Sequence, residues 1–234
     1  GIVLDSADED GTVAIALGQS FDAAMTPSWG RYVGAVASLL DSPHGISGRV
    51  STTIPVGAGL SSSAALEIAA ALALGSTLPA SELAQLTQRA EHLATGVPTG
   101  IMDQLCITSA RQGHGALIDC TTLEIRHIPI PTDVKIVVRF VAHRTLVGSA
   151  YADRVAQCAT AESIIGPLRN AAMSDIAKID NKIIRINPFY SAHSLIIAVP
   201  NRCIILQYWH HIDQQNSHRD RHHGSTISPA FLPL

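Results

Sequence analysis

Residues 54–66, Ile-Pro-Val-Gly-Ala-Gly-Leu-Ser-Ser-Ser-Ala-Ala-Leu, constrain this chain more than any other stretch. Gly57 and Gly59 allow a tight turn. Ser61, Ser62 and Ser63 follow, and a run of helix formers then reaches Leu74. A strand, a glycine turn and a helix N-terminus in that order make a place for an anion. Glycine lets the backbone approach a phosphate, and the unpaired N–H groups of the first helical turn, at the positive end of the macrodipole, point at it. The three hydroxyls can cap the helix or reach a phosphate or a metal ion. The common P-loop is excluded, because it needs a Lys-Ser/Thr pair after its last glycine and no lysine lies between Gly1 and Val134. A glycine turn leading into a buried Ala/Leu helix is also ordinary architecture, so this stretch alone leaves both readings open.

The bulk properties narrow the class. A chain of 234 residues allows one domain, or one and a half. Apolar residues at 47% and charged residues at 15% suit a soluble globular core. The formal charge of −3 gives no electrostatic case for nucleic acid or an anionic membrane. Cys106, Cys120, Cys158 and Cys203 have no paired spacing and read as reduced thiols of a cytoplasmic protein, not a disulfide frame or zinc site. The apolar run at residues 68–74 is far too short to span a bilayer. No signal peptide is visible, and the first residue is Gly1, so the chain reads as a piece of a longer protein.

Residues 2–4 and 12–17 read as a hairpin across the turn Asp8-Glu9-Asp10-Gly11. Residues 29–40 have helical spacing, with Trp29 and Tyr32 read as core aromatics rather than stacking platforms. Residues 48–54 alternate like a strand that feeds the glycine turn. Helix 61–74 is apolar nearly all round and should be buried; its one charge is Glu67, and Gly75 suits the position after its C-cap. Ser81 reads as the cap of the next helix, whose stripe is Leu83, Leu86, Ala90 and Leu93. At about 100° per residue, Glu91 lies about 80° from Leu83, beside the stripe rather than opposite it; by itself this leaves open a solvated flank near Arg89 and His92 or a glutamate with a special place at the edge of the core. Pro98 and Gly100 break that helix. Asp103 then sits among Ile101, Met102, Leu105 and Ile107, either as a helix cap or as a carboxylate held in an apolar cleft.

Three strands are expected at 115–120, 124–129 and 134–138, followed by a helix at 149–162 with Tyr151 near its start. Residues 178–186 fit helix or loop. From Asn187 the pattern is poor: Tyr208-Trp-His-His-Ile and His218-Arg-Asp-Arg-His-His match no period. His218 and His222 have metal-ligand spacing but no third ligand, and are not read as a metal site. The domain division expected is therefore 1–186, then an aberrant, poorly ordered tail at 187–234.

Three motifs occur in fixed order: Pro55-x-Gly57-x-Gly59-Leu-Ser-Ser-Ser-Ala64, Ala90-Glu91-His92, and Gly96-Val-Pro-Thr-Gly100-Ile-Met-Asp103-Gln104. Together they resemble the galactokinases of the GHMP kinase family. The first motif resembles the phosphate loop of the family at large, and Gly-Ile-Met-Asp-Gln is the more specific. Residues 144–154 are similar to the galactokinase segment after the third sheet strand, so the resemblance spans roughly residues 2 to 185. It implies an α+β fold, a ribosomal protein S5 domain 2-like GHMP kinase N-terminal domain with a mixed sheet and helices packed on one side. It implies ATP and Mg2+ as cofactors and galactose as substrate; the charge and apolar pattern point to no nucleic acid or membrane partner, and a monomer is expected. Carried over by position, Gly57, Ala58, Gly59, Leu60, Ser61, Ser62 and Ser63 form the loop around the ATP phosphates. Ser63 and Glu91 match magnesium ligands, Asp103 the residue that takes or polarises the proton of the anomeric hydroxyl, and Gly100 and Tyr151 positions lining the galactose pocket. The assignments are chemically coherent. Phosphoryl transfer needs positioning and charge stabilisation, hard Mg2+ takes oxygen ligands, and a hydroxyl nucleophile needs a carboxylate beside it.

Departures from the family pattern shape the expectation. The family's opening arginine segment, its Glu-His-x-Asp sugar contacts and its third glycine-rich motif have no match here, and Arg139-Phe140 replaces a small acidic-polar pair. The chain is therefore expected to be a truncated galactokinase, lacking most of the C-terminal domain and weak or inactive alone. Other GHMP sugar kinases, acting on N-acetylgalactosamine or arabinose, and a non-catalytic galactose- and ATP-binding sensor stand as alternatives. A serine hydrolase does not, because its Gly-x-Ser-x-Gly elbow is missing.

Overall fold

In the computed structural model, which describes residues 1–40, 44–138, 151–179, 194–199 and 202–207, the first strand shows why a sheet forms. β1 (Ile2–Ser6) buries Ile2 and Leu4 and exposes Val3 and Asp5, the two-residue period of a sheet covered on one face. It pairs antiparallel with β2 (Val13–Ile15) and parallel with β3 (Ser47–Val50), giving the order β2-β1-β3. The sheet is thus mixed, as expected. β3 stops short of the expected residue 54 because side chains take the next donors: the Thr52 N–H donates to Asp8 Oδ2 at 2.9 Å and the Ile54 N–H to Thr52 Oγ1 at 2.9 Å.

Helix α1 (Gly30–Leu40) lies between β1 and its parallel neighbour in sequence. Gly30 and Gly34, one turn apart, let it settle tightly. A Cβ on Gly30 would stand 2.6 Å from Val13 Cγ2, and one on Gly34 would stand 2.9 Å from Met25 Cε. Trp29 is buried, its indole N–H donating to the Asp10 carbonyl at 3.2 Å, so it is a core aromatic.

Helices α2 (Ser62–Ala73) and α3 (Ala80–Thr95) pack against α1 and each other. Ile2, Leu4, Val13, Val33, Val36, Ile68, Ala71 and Leu83 join in one core over the buried face of β1. α2 ends as its sequence demands: Gly75 has φ +88, its N–H donates to the Leu72 carbonyl at 3.0 Å, and the Ser76 N–H donates to the Ala71 carbonyl at 2.9 Å. That pair of bonds is the Schellman cap. Ser81 does not cap α3. Pro79 holds the N-cap position with φ −54, and its carbonyl accepts from the Leu83 N–H at 2.9 Å, which leaves Ser81 inside the first turn.

Helix α4 (Met102–Thr108) packs on α2 and α3. Leu105, fully buried, joins Ala84 and Ile101 in a second cluster. Ile118, Leu123 and Ile125, from the antiparallel pair β4 (His114–Ile118) and β5 (Ile125–Pro129) and its turn, close that cluster from outside.

Contacts divide the chain into two units, Gly1–Pro129 with Val141–Ala156, and Ile130–Phe140 with Gln157–Leu234. These limits differ from the division at residue 186 drawn from composition. Helix α5 (Tyr151–Ile165) has its first residues in the first unit and the rest in the second. The second unit also holds an antiparallel sheet of β6 (Lys135–Val137), β7 (Ser194–Val199) and β8 (Arg202–Gln207), in that order. Two of these strands fall where the sequence offers no clear period. Arg139-Phe140, residues 144–150, 180–186, 208–212 and 218–223 lie outside the described residues. Among the described residues, no helix is long and apolar enough to cross a membrane.

Two substitutions of the same kind separate core from surface. Leu105→Ala should lower unfolding free energy by about 2–5 kcal/mol, whereas Leu117→Ala, at a side chain 51% exposed, should change it by about 0.5 kcal/mol or less. Urea unfolding of both variants measures the difference.

Candidate functional site

Alternation of backbone handedness shapes the glycine turn. Gly57, Gly59 and Ser61 have φ of 74, 73 and 60, while Ala58 and Leu60 between them do not take positive φ. Such alternation turns successive N–H groups toward one side and makes an anion-binding concavity. The Ala58 N–H is used, donating to the Pro55 carbonyl at 3.2 Å, and the Ala65 N–H donates to the Ser61 carbonyl at 3.0 Å. Among the described residues no hydrogen bond takes the N–H groups from Gly59 to Ala64. The N-terminus of α2 lies directly behind them, so a row of free donors and the positive end of a buried helix coincide.

Ser61 sits at the N-cap of α2 without a side-chain cap bond. Ser63 does not cap either: its hydroxyl donates to Glu91 Oε1 at 2.7 Å. This bond joins α2 to α3 and brings together two residues the sequence reading paired. Glu91 is not the solvated flank that its position on the helix allows. It is only 5% exposed, because α2 and α4 close over the side of α3 next to its apolar stripe.

A buried carboxylate must be hydrogen-bonded, and Glu91 is. Besides Ser63 on Oε1, the Thr99 hydroxyl donates to Oε2 at 3.0 Å and Gln104 Nε2 donates to Oε2 at 2.9 Å. Thr99 is fixed in turn. Its carbonyl accepts from Gln88 Nε2 at 2.9 Å and bonds His92 Nε2 at 2.8 Å. A carbonyl only accepts, so His92 carries its proton on Nε2. The Gly96–Gly100 turn is thereby pinned onto α3, with Gly96 in the left-handed region at φ 68.

A second carboxyl lies near. Glu67 follows Ser63 by four residues on α2 and is 0% exposed. Burial first, then the charge of Glu91, pushes its pKa up to about 9, against a smaller opposing contribution from Gln104. Burial, then Glu91 and Glu67, also raises the Tyr32 phenol from α1, and Arg31 opposes this. Sequence reasoning gave Thr99, Gln104 and Tyr32 no part here and noted Glu67 only as the lone charge of its helix. The available signal was spacing: Ser63 and Glu67 at i, i+4 share one face of a helix that is otherwise apolar.

Gly100 and Tyr151 also meet, the Gly100 N–H donating to Tyr151 Oη at 3.4 Å, a long bond. Asp103 stands in the first turn of α4, half-buried, next to Gln104; no bond among the described residues ends on its carboxylate. A cavity of about 600 Å³ lies elsewhere, lined by residues such as Ile15, Phe21, Met25 and Gly34, and none of the candidate residues borders it.

Among the described residues no three His, Cys, Asp or Glu side chains converge on one point, so a protein-only metal cage is not formed there. A cation that takes most ligands from phosphate and water makes a smaller demand. Two oxygens on adjacent corners of an octahedron with bonds of about 2.0–2.1 Å stand about 2.9 Å apart. The Ser63 and Glu91 oxygens, at 2.7 Å, fit that separation, and both are the hard oxygen donors Mg2+ prefers.

Residues 31–111 match the family described as GHMP kinases N terminal domain. A galactokinase of Chloroflexus aggregans is 42% identical over 167 residues, covering 64% of this chain and 43% of that protein. A galactokinase of Bos taurus is 39% identical over 150 residues, covering 60% and 38%. One from Thermococcus kodakarensis is 34% identical over 148 residues, covering 59% and 42%. The chain thus spans about two-fifths of the length of these relatives. Among solved structures, Lactococcus lactis galactokinase complexed with galactose has the same fold, with a TM-score of 0.61 at 23% identity over 80% of this chain and 53% of that one.

The raised Glu67 pKa has a sign that can be measured. Its folded value of about 9 exceeds the ordinary 4.5, so between these pH values the folded chain binds the extra proton. Its contribution to stability is full below about pH 4.5 and declines as pH rises toward 9, by up to about 1.4 kcal/mol per pH unit. Glu67→Gln should remove this decline, so that its unfolding free energy falls less than wild type between pH 5 and 9 in denaturant titrations.

Proposed function

We propose, from the match of residues 31–111 to the GHMP kinase N-terminal domain, that the chain holds the nucleotide end of a galactokinase site, for ATP-dependent phosphorylation of galactose at its anomeric hydroxyl. The observation that carries this reading is the 2.7 Å bond between Ser63 and Glu91 at the mouth of an unspent N–H row. A generic helix cap would not place a buried carboxylate beside a hydroxyl there.

The roles follow from the donors and acceptors present. The free N–H groups of the Gly57–Ser63 loop bind phosphate oxygens of ATP, aided by the dipole of α2. Ser63 Oγ and the Glu91 carboxylate hold Mg2+, with Thr99 and Gln104 keeping the carboxylate in place. When bound, Mg2+ supplies positive charge that offsets the charge of the transferring phosphoryl group. Asp103, whose carboxylate has no described partner, accepts the proton of the sugar hydroxyl as it attacks. Gly100 and Tyr151 line the sugar side. These roles fit a chain of small-molecule substrates in the cytoplasm.

Calorimetric titration with ATP and galactose, paired with a coupled transfer assay, tests the reading. Wild type should bind ATP more tightly with Mg2+ than in EDTA, and Glu91→Gln should lose that gain. Asp103→Asn should keep nucleotide binding and lower galactose phosphorylation by about 10²–10⁴-fold. Binding of both ligands without transfer by wild type fits an incomplete kinase site and a sugar and nucleotide sensor alike, whereas ATP binding indifferent to Mg2+ would overturn the cation assignment. Absence of any binding would overturn both.

A further inference from the structure

The glycine turn needs a fixed entry, and the sheet ladder stops before reaching it. β3 ends at Val50, whose carbonyl accepts from the Ala7 N–H at 2.9 Å, one step past the paired residues Ser6 and Val50. From there side chains take over. The Ser6 hydroxyl accepts from the Asp8 N–H and the Glu9 N–H, both at 3.1 Å, which holds the start of the turn between β1 and β2. Asp8 then reaches across the sheet end: its Oδ2 accepts from the Thr52 N–H at 2.9 Å, 44 positions along the chain. Thr52 Oγ1 accepts in turn from the Ile54 N–H at 2.9 Å, and the Pro55 carbonyl accepts from the Ala58 N–H at 3.2 Å. The N–H row with no described bond begins one residue later, at Gly59. Among these bonds, those from Ala7 and Asp8 join the 50–58 segment to the hairpin, and that of Asp8 is the last before the glycines.

Asp8 is exposed, so it adds nothing to the core. Its negative charge opposes a phosphate nearby. An exposed anion at the entry to a phosphate loop is thus unfavourable as a charge, but a carboxylate oxygen is the strong acceptor for a lone backbone N–H. We propose that Asp8 is a positioning residue of the phosphate loop: it fixes the backbone at Thr52 and so holds the N–H row of residues 59–64 in place for the ATP phosphates. This rests on that loop binding ATP, as argued above. One such hydrogen bond changes an equilibrium by about three- to tenfold, which sets the size of the effect.

The test is calorimetric titration of the whole chain with ATP, in Mg2+ and in EDTA, and with galactose, with a thermal melt of each variant. Asp8→Ala removes the acceptor. It should weaken ATP about three- to tenfold in both media, leave the ratio between the media and the galactose constant unchanged, and move the melt by about 4 °C or less. Asp8→Asn keeps an oxygen acceptor and drops the charge, so it should bind ATP at least as tightly as wild type. Thr52→Val removes the next acceptor, and combined with Asp8→Ala it should cost less than the two changes summed, since both hold one segment. An Asp8→Ala chain with wild-type ATP affinity overturns the inference and leaves the nucleotide reading standing. An Asp8→Asn chain as weak as Asp8→Ala overturns it too, because the charge and not the acceptor would then matter. So does an Asp8→Ala chain that no longer folds, or that loses galactose to the same degree, because the bond would then hold the whole sheet. A wild-type chain that binds no ATP overturns the nucleotide reading and this inference together.

Discussion

The requirement that a buried carboxylate be fully hydrogen-bonded organises the first unit. Glu91 is almost out of solvent, and its donors come from α2, the turn after α3, and α4. Each bond to a charged group contributes about 1.5–3 kcal/mol, and losing one partner leaves an anion short in a low-dielectric pocket. The burial of Glu91 and the packing of these helices therefore depend on the same bonds from Ser63, Thr99 and Gln104. Gln88 and His92 extend the same logic, tying the turn that bears Thr99 to the helix that bears Glu91.

The glycine turn spends stability in the opposite direction. Ser61 takes a left-handed conformation that a side chain makes costly, about 1 kcal/mol or more, and its hydroxyl gives no cap bond in return. Donors from Gly59 to Ala64 are left unpaired. Local rules of helix stability are broken here and kept at the other end of α2, where Gly75 and Ser76 satisfy the last carbonyls. The two ends of one helix thus differ, the first leaving its donors unpaired and the last satisfying its carbonyls.

Much of this was legible in the sequence, for reasons that differ by residue. Two apolar runs across the turn Asp8-Glu9-Asp10-Gly11 gave the hairpin, while the one-sided cover of β1 shows only in its burial. The apolar run after Ser63 gave a buried helix, and Gly75 its end. Ordered motifs paired Ser63 with Glu91 and picked out Gly100 and Tyr151, which the fold also brings within reach of each other. The burial of Glu91 was not legible, because a position 80° from a stripe is flank or core depending on how many neighbours crowd that helix, and α3 has three. Ser81 misled because Pro79, two residues earlier, already starts the helix. Gln104 was hidden for a different reason. Its role is to donate to Glu91 from one helix to another, and that requires knowing which side chains face each other.

The parallel pairing of β1 with β3 carries a consequence for how the chain assembles. β2 follows β1 across a short turn and can zip onto it from nearby residues alone, on the microsecond scale of a hairpin. β3 cannot. Ser47 must return beside Val3 after the chain has passed through β2 and the whole of α1, and the entropy of closing that long loop is spent before any ladder bond is gained. The strand that closes the sheet is therefore the one whose pairing depends most on the rest of the chain, and the close approach of Gly30 to Val13 holds α1 against the hairpin side of that sheet.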